Sequence, residues 1–167
     1  MSIGEIYQQS NSRTPILFIT SPGADPSQEL RDVAIKHVGT DHFYQVAMGQ
    51  GQSDIALQCI RTCAEKGGWV CLQNIHLVIH WVAILEKELD SLKLDPNFRL
   101  WITTEPHLKF PASFLKKCVK ITTESPPGEF ECTKMKVSKR IWKEFTKPGV
   151  QSIWRKDRFF VLKPYLH

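Results

Sequence analysis

Along the chain, short runs that are apolar throughout alternate with stretches in which apolar residues return every three or four positions. Residues 14–20 (TPILFIT) form the first run and end in Ser21-Pro22-Gly23-Ala24-Asp25-Pro26, where turn formers crowd together. The pattern predicts a buried strand entering a loop. From Ser27, a residue type suited to an N-cap, Leu30, Val33, Ala34 and Val38 recur at helical spacing, and Gly39 supplies the stop. Residues 43–48 (FYQVAM) give a second strand and Gly49-Gln50-Gly51-Gln52 a turn. A helix over 54–65 follows, with Ile55, Leu57, Ile60 and Ala64 toward the core and Gly67-Gly68 closing it. Residues 69–72 (WVCL) are apolar at every position, as in strands buried on both faces of a parallel sheet, and Gln73 and Asn74 stand at their carboxyl end. Further on, the pattern predicts a helix over 78–92, a strand over 98–103 (FRLWIT), a short helix near 112–116 and a fifth strand over 118–122 (CVKIT).

Strands alternating with helical segments argue for an α/β fold, a three-layer arrangement with a mostly parallel sheet and right-handed crossovers. Ligand sites in such sheets lie outside the carboxyl ends of the strands. A length of 167 residues suits one core, and 42% hydrophobic with 23% charged residues is the composition of a globular chain. No run approaches the ~20 apolar residues of a membrane span, and the start Met1-Ser2-Ile3-Gly4-Glu5 has no signal-like pattern, so a soluble intracellular protein is expected. The five cysteines, at 59, 63, 71, 118 and 132, are odd in number and mostly lie in apolar segments, which suits reduced core residues.

Charge divides the chain. Residues 129–167 hold 10 of the 22 Lys and Arg but only 4 of the 17 Asp and Glu, whereas residues 1–128 are nearly balanced. A basic tail on a neutral body argues against a nucleic-acid surface built into the fold. In that tail Trp142, Phe145, Trp154, Phe159 and Phe160 interleave with Lys and Arg, which suits an amphipathic or disordered extension. Stacking on bases or lying at a membrane surface is the alternative use of such a pattern.

The loop after the first strand is where a P-loop, GxxxxGK[ST], would hold phosphates with backbone N–H groups, a Lys and a Mg²⁺-binding hydroxyl. Here the stretch reads Ser21, Pro22, Gly23, Ala24, Asp25, Pro26, Ser27 and Gln28. Pro26 stands in place of the second Gly, Ser27 in place of the Lys and Gln28 in place of the Ser or Thr. Pro26 removes an N–H, and Asp25 adds negative charge where phosphate would sit. Each lost charged hydrogen bond is worth ~1.5–3 kcal/mol, so the missing Lys and its neighbours would lower affinity by about two to four powers of ten. The strand that should end in an acidic pair ends in Gln73 and Asn74, and amides cannot serve as the base. Phosphoryl transfer here lacks its charge-stabilising parts.

Other spacings are weaker. Cys59, Cys63, His76 and His80 match the loose spacing of a zinc finger, but about six residues of intervening strand at ~3.3 Å each would hold the pairs nearly 20 Å apart. His37, His42 and His107 have no partner at catalytic spacing, and Glu86, Lys87, Glu88 and Asp90 read as a solvated helix face. No residue is assigned as catalytic and none as a metal ligand.

The segments SPGADPSQEL (21–30), VAMGQGQ (46–52), GGWVCLQNIHL (67–77), LEKEL (85–89), FRLWITTEP (98–106) and KITTESPPG (120–128), in that order and spacing, resemble the sixth and last AAA+ module of dynein heavy chains. The wording of VAMGQGQ and LEKEL is most similar to the ciliary, intraflagellar-transport class of cytoplasmic dynein. The resemblance covers residues 14–128, with 1–13 as an N-terminal extension and 129–167 as a basic tail in place of the family's helical lid. It implies a P-loop NTPase fold, the AAA+ large subdomain, with a decayed nucleotide site: residues 21–28 as a vestigial phosphate loop, Gln73 and Asn74 as a vestigial Walker B end, Thr103 and Thr104 at the sensor position.

It also implies a non-catalytic part of an ATP-driven, minus-end-directed microtubule motor, with ATP and Mg in other modules and no cofactor in this one. The implied partners are neighbouring AAA+ modules and, through the whole motor, dynein intermediate and light chains and microtubules, with no nucleic acid and no membrane. The implied location is cytoplasm, cytoskeleton and cilium. A free-standing divergent P-loop nucleotide hydrolase and a basic-tailed nucleic-acid-binding protein are the alternatives.

Overall fold

The computed structural model describes residues 2–20, 25–122, 150–153 and 160–164. The helices are α1 (Ile3–Gln9), α2 (Ser27–Val38), α3 (Ser53–Lys66), α4 (Val82–Ser91) and α5 (Ala112–Lys117). The strands are β1 (Ile16–Ile19), β2 (Phe43–Ala47), β3 (Trp69–Gln73), β4 (Arg99–Thr104), β5 (Val119–Thr122), β6 (Val150–Ile153) and β7 (Phe160–Pro164). Among the described residues they form one sheet in the order β2-β3-β4-β1-β5-β7-β6. The first five in that order pair in parallel, as the alternating pattern predicts, and β7 and β6 add antiparallel. Two pieces of the basic tail are thus strands that widen the sheet beyond β5. No described helix is long and apolar enough to cross a membrane.

The central strands are apolar throughout because both of their faces are covered. In β1, Ile16 and Phe18 point into a core with Trp69, Cys71, Trp101, Leu30 and Ala34, on the side of α1 and α2. Leu17 and Ile19 point into the other, with Leu72, Ile102, Ile60, Leu85 and Phe114, on the side of α3, α4 and α5. Successive residues of a strand face opposite sides, so one strand serves two cores.

Local details depart from the sequence reading in four places. Ser27 is the first residue of α2 and not its N-cap; Pro26 holds the cap position, and the Asp25 carboxylate accepts from the Ser27 N–H at 2.9 Å. Ile55 is 48% exposed, whereas Ala56, Ile60, Cys63 and Ala64 form the inner stripe of α3. The helix expected over 78–92 is a 3-10 helix over Ile75–Trp81, kinked at Val78, followed by α4. The acids of α4 are bound to neighbours: Glu88 pairs with Arg61 of α3 at 2.6 Å, while Glu86 and Asp90 pair with Lys117 of α5 at 3.0 and 2.9 Å.

The residues before Thr14 also do more than extend the chain. Ser2 and Glu5 form a reciprocal capping box that starts α1, with Ser2 N–H to Glu5 at 2.8 Å and Glu5 N–H to Ser2 at 3.3 Å. Ile3 and Ile6 are buried against the sheet, and Tyr7 lies 4.8 Å from the rings of both Trp69 and His37.

Candidate functional site at the carboxyl rim of the sheet

The carboxyl ends of β1, β3 and β4 and the first turn of α2 meet in one cross-bonded rim. Asn74, which follows β3, adopts the left-handed conformation (φ 56°, ψ 44°), one that its short polar side chain tolerates. Its N–H donates to Oγ1 of Thr103 at 3.0 Å, so the turn after β3 is pinned to β4. Thr20 N–H donates to the carbonyl of Thr104 at 3.0 Å, joining β1 to the same strand end. Glu105 N–H donates to Nδ1 of His76 at 3.1 Å, which closes the rim on its outer side. Burial holds the His76 pKa below its usual value, with Glu105 opposing and His107 adding to the shift.

Gln73 extends from the end of β3 and donates from Nε2 to Oγ of Ser27 at 2.6 Å. Ser27 is 3% exposed. Cys71, fully buried on the same face, has its thiol pushed up to about 12 by burial and by the Asp25 charge, with the Ser27 hydroxyl opposing the shift. Gln28 turns away and bonds Asp32 one turn along α2 at 3.1 Å.

The structure therefore gathers Asp25, Ser27, Gln73, Asn74, Thr103 and Thr104 of the sequence-derived set at one place, and directs the Gln28 side chain along its own helix. Ser21, Pro22, Gly23 and Ala24 lie outside the described residues. Thr20, Cys71, His76 and Glu105 belong to the rim but were not singled out for it. Thr20 and Cys71 sit inside apolar runs, and no spacing in the sequence links His76 to Glu105. No three His, Cys, Asp or Glu side chains among the described residues gather as a metal-binding group. Of the four at zinc-finger spacing, Cys63 contacts the Trp69 carbonyl and His76 accepts from Glu105. A cleft of about 160 Å³ beside the amino end of β1, lined by Pro15, Glu86, Leu89, Phe114 and Lys117 among others, is separate from the rim.

Five parallel strands between two helical layers, with the first strand followed in the chain by a helix at which the strand ends converge, make a three-layer α/β P-loop domain. The chain belongs to the dynein heavy chain family: the model of the dynein heavy chain region D6 P-loop domain matches residues 11–122. The chain is 50% identical over 128 residues to cytoplasmic dynein 2 heavy chain 1 of Tripneustes gratilla, which covers 77% of this chain and 3% of that one. It is 48% identical over 128 residues to the Homo sapiens protein of the same name, with the same coverage. To dynein axonemal heavy chain 10 of Homo sapiens it is 38% identical over 158 residues, 92% of this chain and 4% of the other.

Two points follow. The chain spans only about 3–4% of the length of these curated relatives. The axonemal match covers 92% of the chain, more than residues 1–128 contain, so family likeness runs on into the basic tail.

Proposed function

We propose that this chain acts as a non-hydrolysing structural module of a minus-end-directed microtubule motor whose ATP and Mg²⁺ are handled by other modules. In this reading residues 21–28 are a vestigial phosphate loop, Gln73 and Asn74 a vestigial Walker B end, and Thr103 and Thr104 remnants of a sensor. The module then matters through its shape, by packing against neighbouring AAA+ modules. Through the whole motor it is joined to intermediate and light chains and to microtubules, in the cytoplasm, on the cytoskeleton and in the cilium. The names of the relatives, cytoplasmic dynein 2 and axonemal heavy chains, support the motor and the ciliary setting.

The observation that carries the reading is the hydrogen bond from Gln73 to Ser27 at 2.6 Å. In a working site these two positions hold a carboxylate and an ammonium, which act on Mg²⁺ and phosphate. Here they are an amide and a hydroxyl that satisfy each other. Among the described rim residues the remaining fixed charge is acidic, on Asp25 and Glu105, and opposes an approaching triphosphate. Calorimetric titration of the purified chain with Mg·ATP tests this. No saturable heat up to millimolar nucleotide and no phosphate release are expected; micromolar binding with turnover would overturn the proposal in favour of a divergent hydrolase.

A further inference from the structure

We infer that Gln73 and Ser27 form a clamp that shuts the carboxyl rim between β3 and α2 over the buried Cys71, doing internally what a ligand bridging strand and helix would do. This rests on the reading of the rim as a vestigial nucleotide site, and adds what took over its mechanical role.

The Ser27 hydroxyl has one donor and two acceptor positions. It accepts at 2.6 Å from Nε2 of Gln73, two positions along the strand from the buried Cys71. One hydrogen bond thus links a residue at the strand end to a residue of the helix. Sequence separation is large, since Ser27 and Gln73 are 46 positions apart, so the contact closes a long loop of chain. Both sides of the clamp are held in advance. On the helix, the Asp25 carboxylate receives the Ser27 N–H at 2.9 Å, and the Pro26 carbonyl accepts from Leu30 N–H at 3.0 Å. On the strand, the Asn74 turn is pinned through Thr103 at 3.0 Å, and the Gln73 carbonyl accepts from Met48 N–H at 2.8 Å. With the backbone fixed on either side, only the side-chain torsions of Gln73 remain to be ordered on bonding to Ser27.

The clamp covers Cys71. That thiol is 0% exposed, on the α2 side of the sheet, whereas Cys118, also 0% exposed, belongs to the opposite core. Opening between β3 and α2 uncovers Cys71 and leaves Cys118 buried; global unfolding uncovers both. The two cysteines therefore distinguish a clamp from a generally stabilising contact.

The test is thiol labelling of the full chain without nucleotide, with rates at Cys71 and Cys118 resolved by peptide mass. Gln73→Met keeps side-chain length and removes the amide; Ser27→Ala removes the hydroxyl, and Ser27→Thr restores it. Loss of one net hydrogen bond of ~1 kcal/mol corresponds to about fivefold faster labelling of Cys71 in Gln73→Met, with Cys118 unchanged. Ser27→Ala is expected to match that and Ser27→Thr to return toward the parent rate. Equal acceleration at both cysteines, or no acceleration at either, would overturn the clamp. Because no nucleotide is present, these outcomes are independent of whether Mg·ATP binds the parent chain.

Discussion

The guanidinium of Arg99, at the start of β4, lies over the ring of Tyr7 in α1, 4.8 Å from its centroid. The same group donates to Ser10 Oγ at 2.8 Å, to the Ser10 carbonyl at 3.2 Å, and to the carbonyls of Pro96 and Phe98 at 2.7 Å. A buried cation is thus held by carbonyls, a hydroxyl and a π-face, and burial holds its pKa below the usual arginine value.

Arg99→Met should release α1 from the sheet. Losing the cation–π contact and the charged hydrogen bonds, partly offset by removing a desolvated charge, is expected to cost about 2–4 kcal/mol. Urea unfolding gives the magnitude. Tryptophan emission should shift to the red as Tyr7 leaves Trp69, and an unshifted spectrum would contradict the coupling.

Gly67-Gly68 is predicted to be intolerant of side chains for two separate reasons. Gly67 has φ 71°, and an added Cβ would meet Oδ1 of Asp95 at 2.6 Å, a side chain able to move. At Gly68 the Cβ would meet the backbone carbonyl of His42 at 2.7 Å and Sγ of Cys63 at 2.9 Å. Gly67→Ala should cost about 1–2 kcal/mol from the left-handed backbone, and Gly68→Ala about 2–3 kcal/mol from overpacking against main chain. Thermal denaturation of the two variants checks the order, and a milder effect at Gly68 would refute it.

Stability should fall above pH 9. Burial pushes the thiols of Cys63 and Cys71 from 9.0 up to about 12, and raises that of Cys118 in the same direction. Between these values the unfolded chain has lost protons that the folded chain keeps, so each buried thiol costs about 1.4 kcal/mol by pH 10. Lys120 works the other way. Burial lowers its pKa from 10.5, so the folded chain sheds that proton first and its penalty is relieved as pH rises toward 10.5. Three thiols outweigh one amine. Urea midpoints at pH 8, 9 and 10 should decline, and Cys71→Ala should flatten the decline; a flat profile for the parent chain would be the contrary result.

Under the proposed function, placing a lysine at position 27 should not create nucleotide binding. In Ser27→Lys with Gln28→Thr, Pro26 still lacks an N–H and Gln73 and Asn74 still lack carboxylates. The new ammonium also occupies a position that is 3% exposed and loses the bond to Gln73. Affinity for Mg·ATP is expected to remain weaker than about 1 mM, or above about −4 kcal/mol. Equilibrium dialysis measures it, and micromolar affinity would show that the lysine alone was missing.

Much of this architecture was legible in the residues. The strand at residues 69–72 declared itself by being apolar at every position, a pattern that only burial on both faces requires, and β1 and β4 are buried at all positions in the same way. Less visible was α1, although Ser2 and Glu5 carry the capping-box spacing, because seven residues with two isoleucines give too short a period to distinguish a helix from an extension. Ile55 was assigned inward on hydrophobicity, yet its neighbour Ala56 occupies the inner stripe, since the α3 register is set by what fits against Val46 and Leu72. The residue types at the rim were legible; the bonds among them were not.

The sequence by itself determined the parallel α/β order, the absence of a lysine from residues 21–28 and of an acidic pair from residues 73–74, and the family, because these are properties of residue type and local spacing. Only the tertiary structure decided that Ser27 meets Gln73 across 46 positions, that Arg99 reaches Ser10 across 89, and that β7 and β6 continue the sheet beyond β5. Such contacts depend on how helices pack across a twisted sheet and on the distances left between strand ends. Local periodicity carries no information about either.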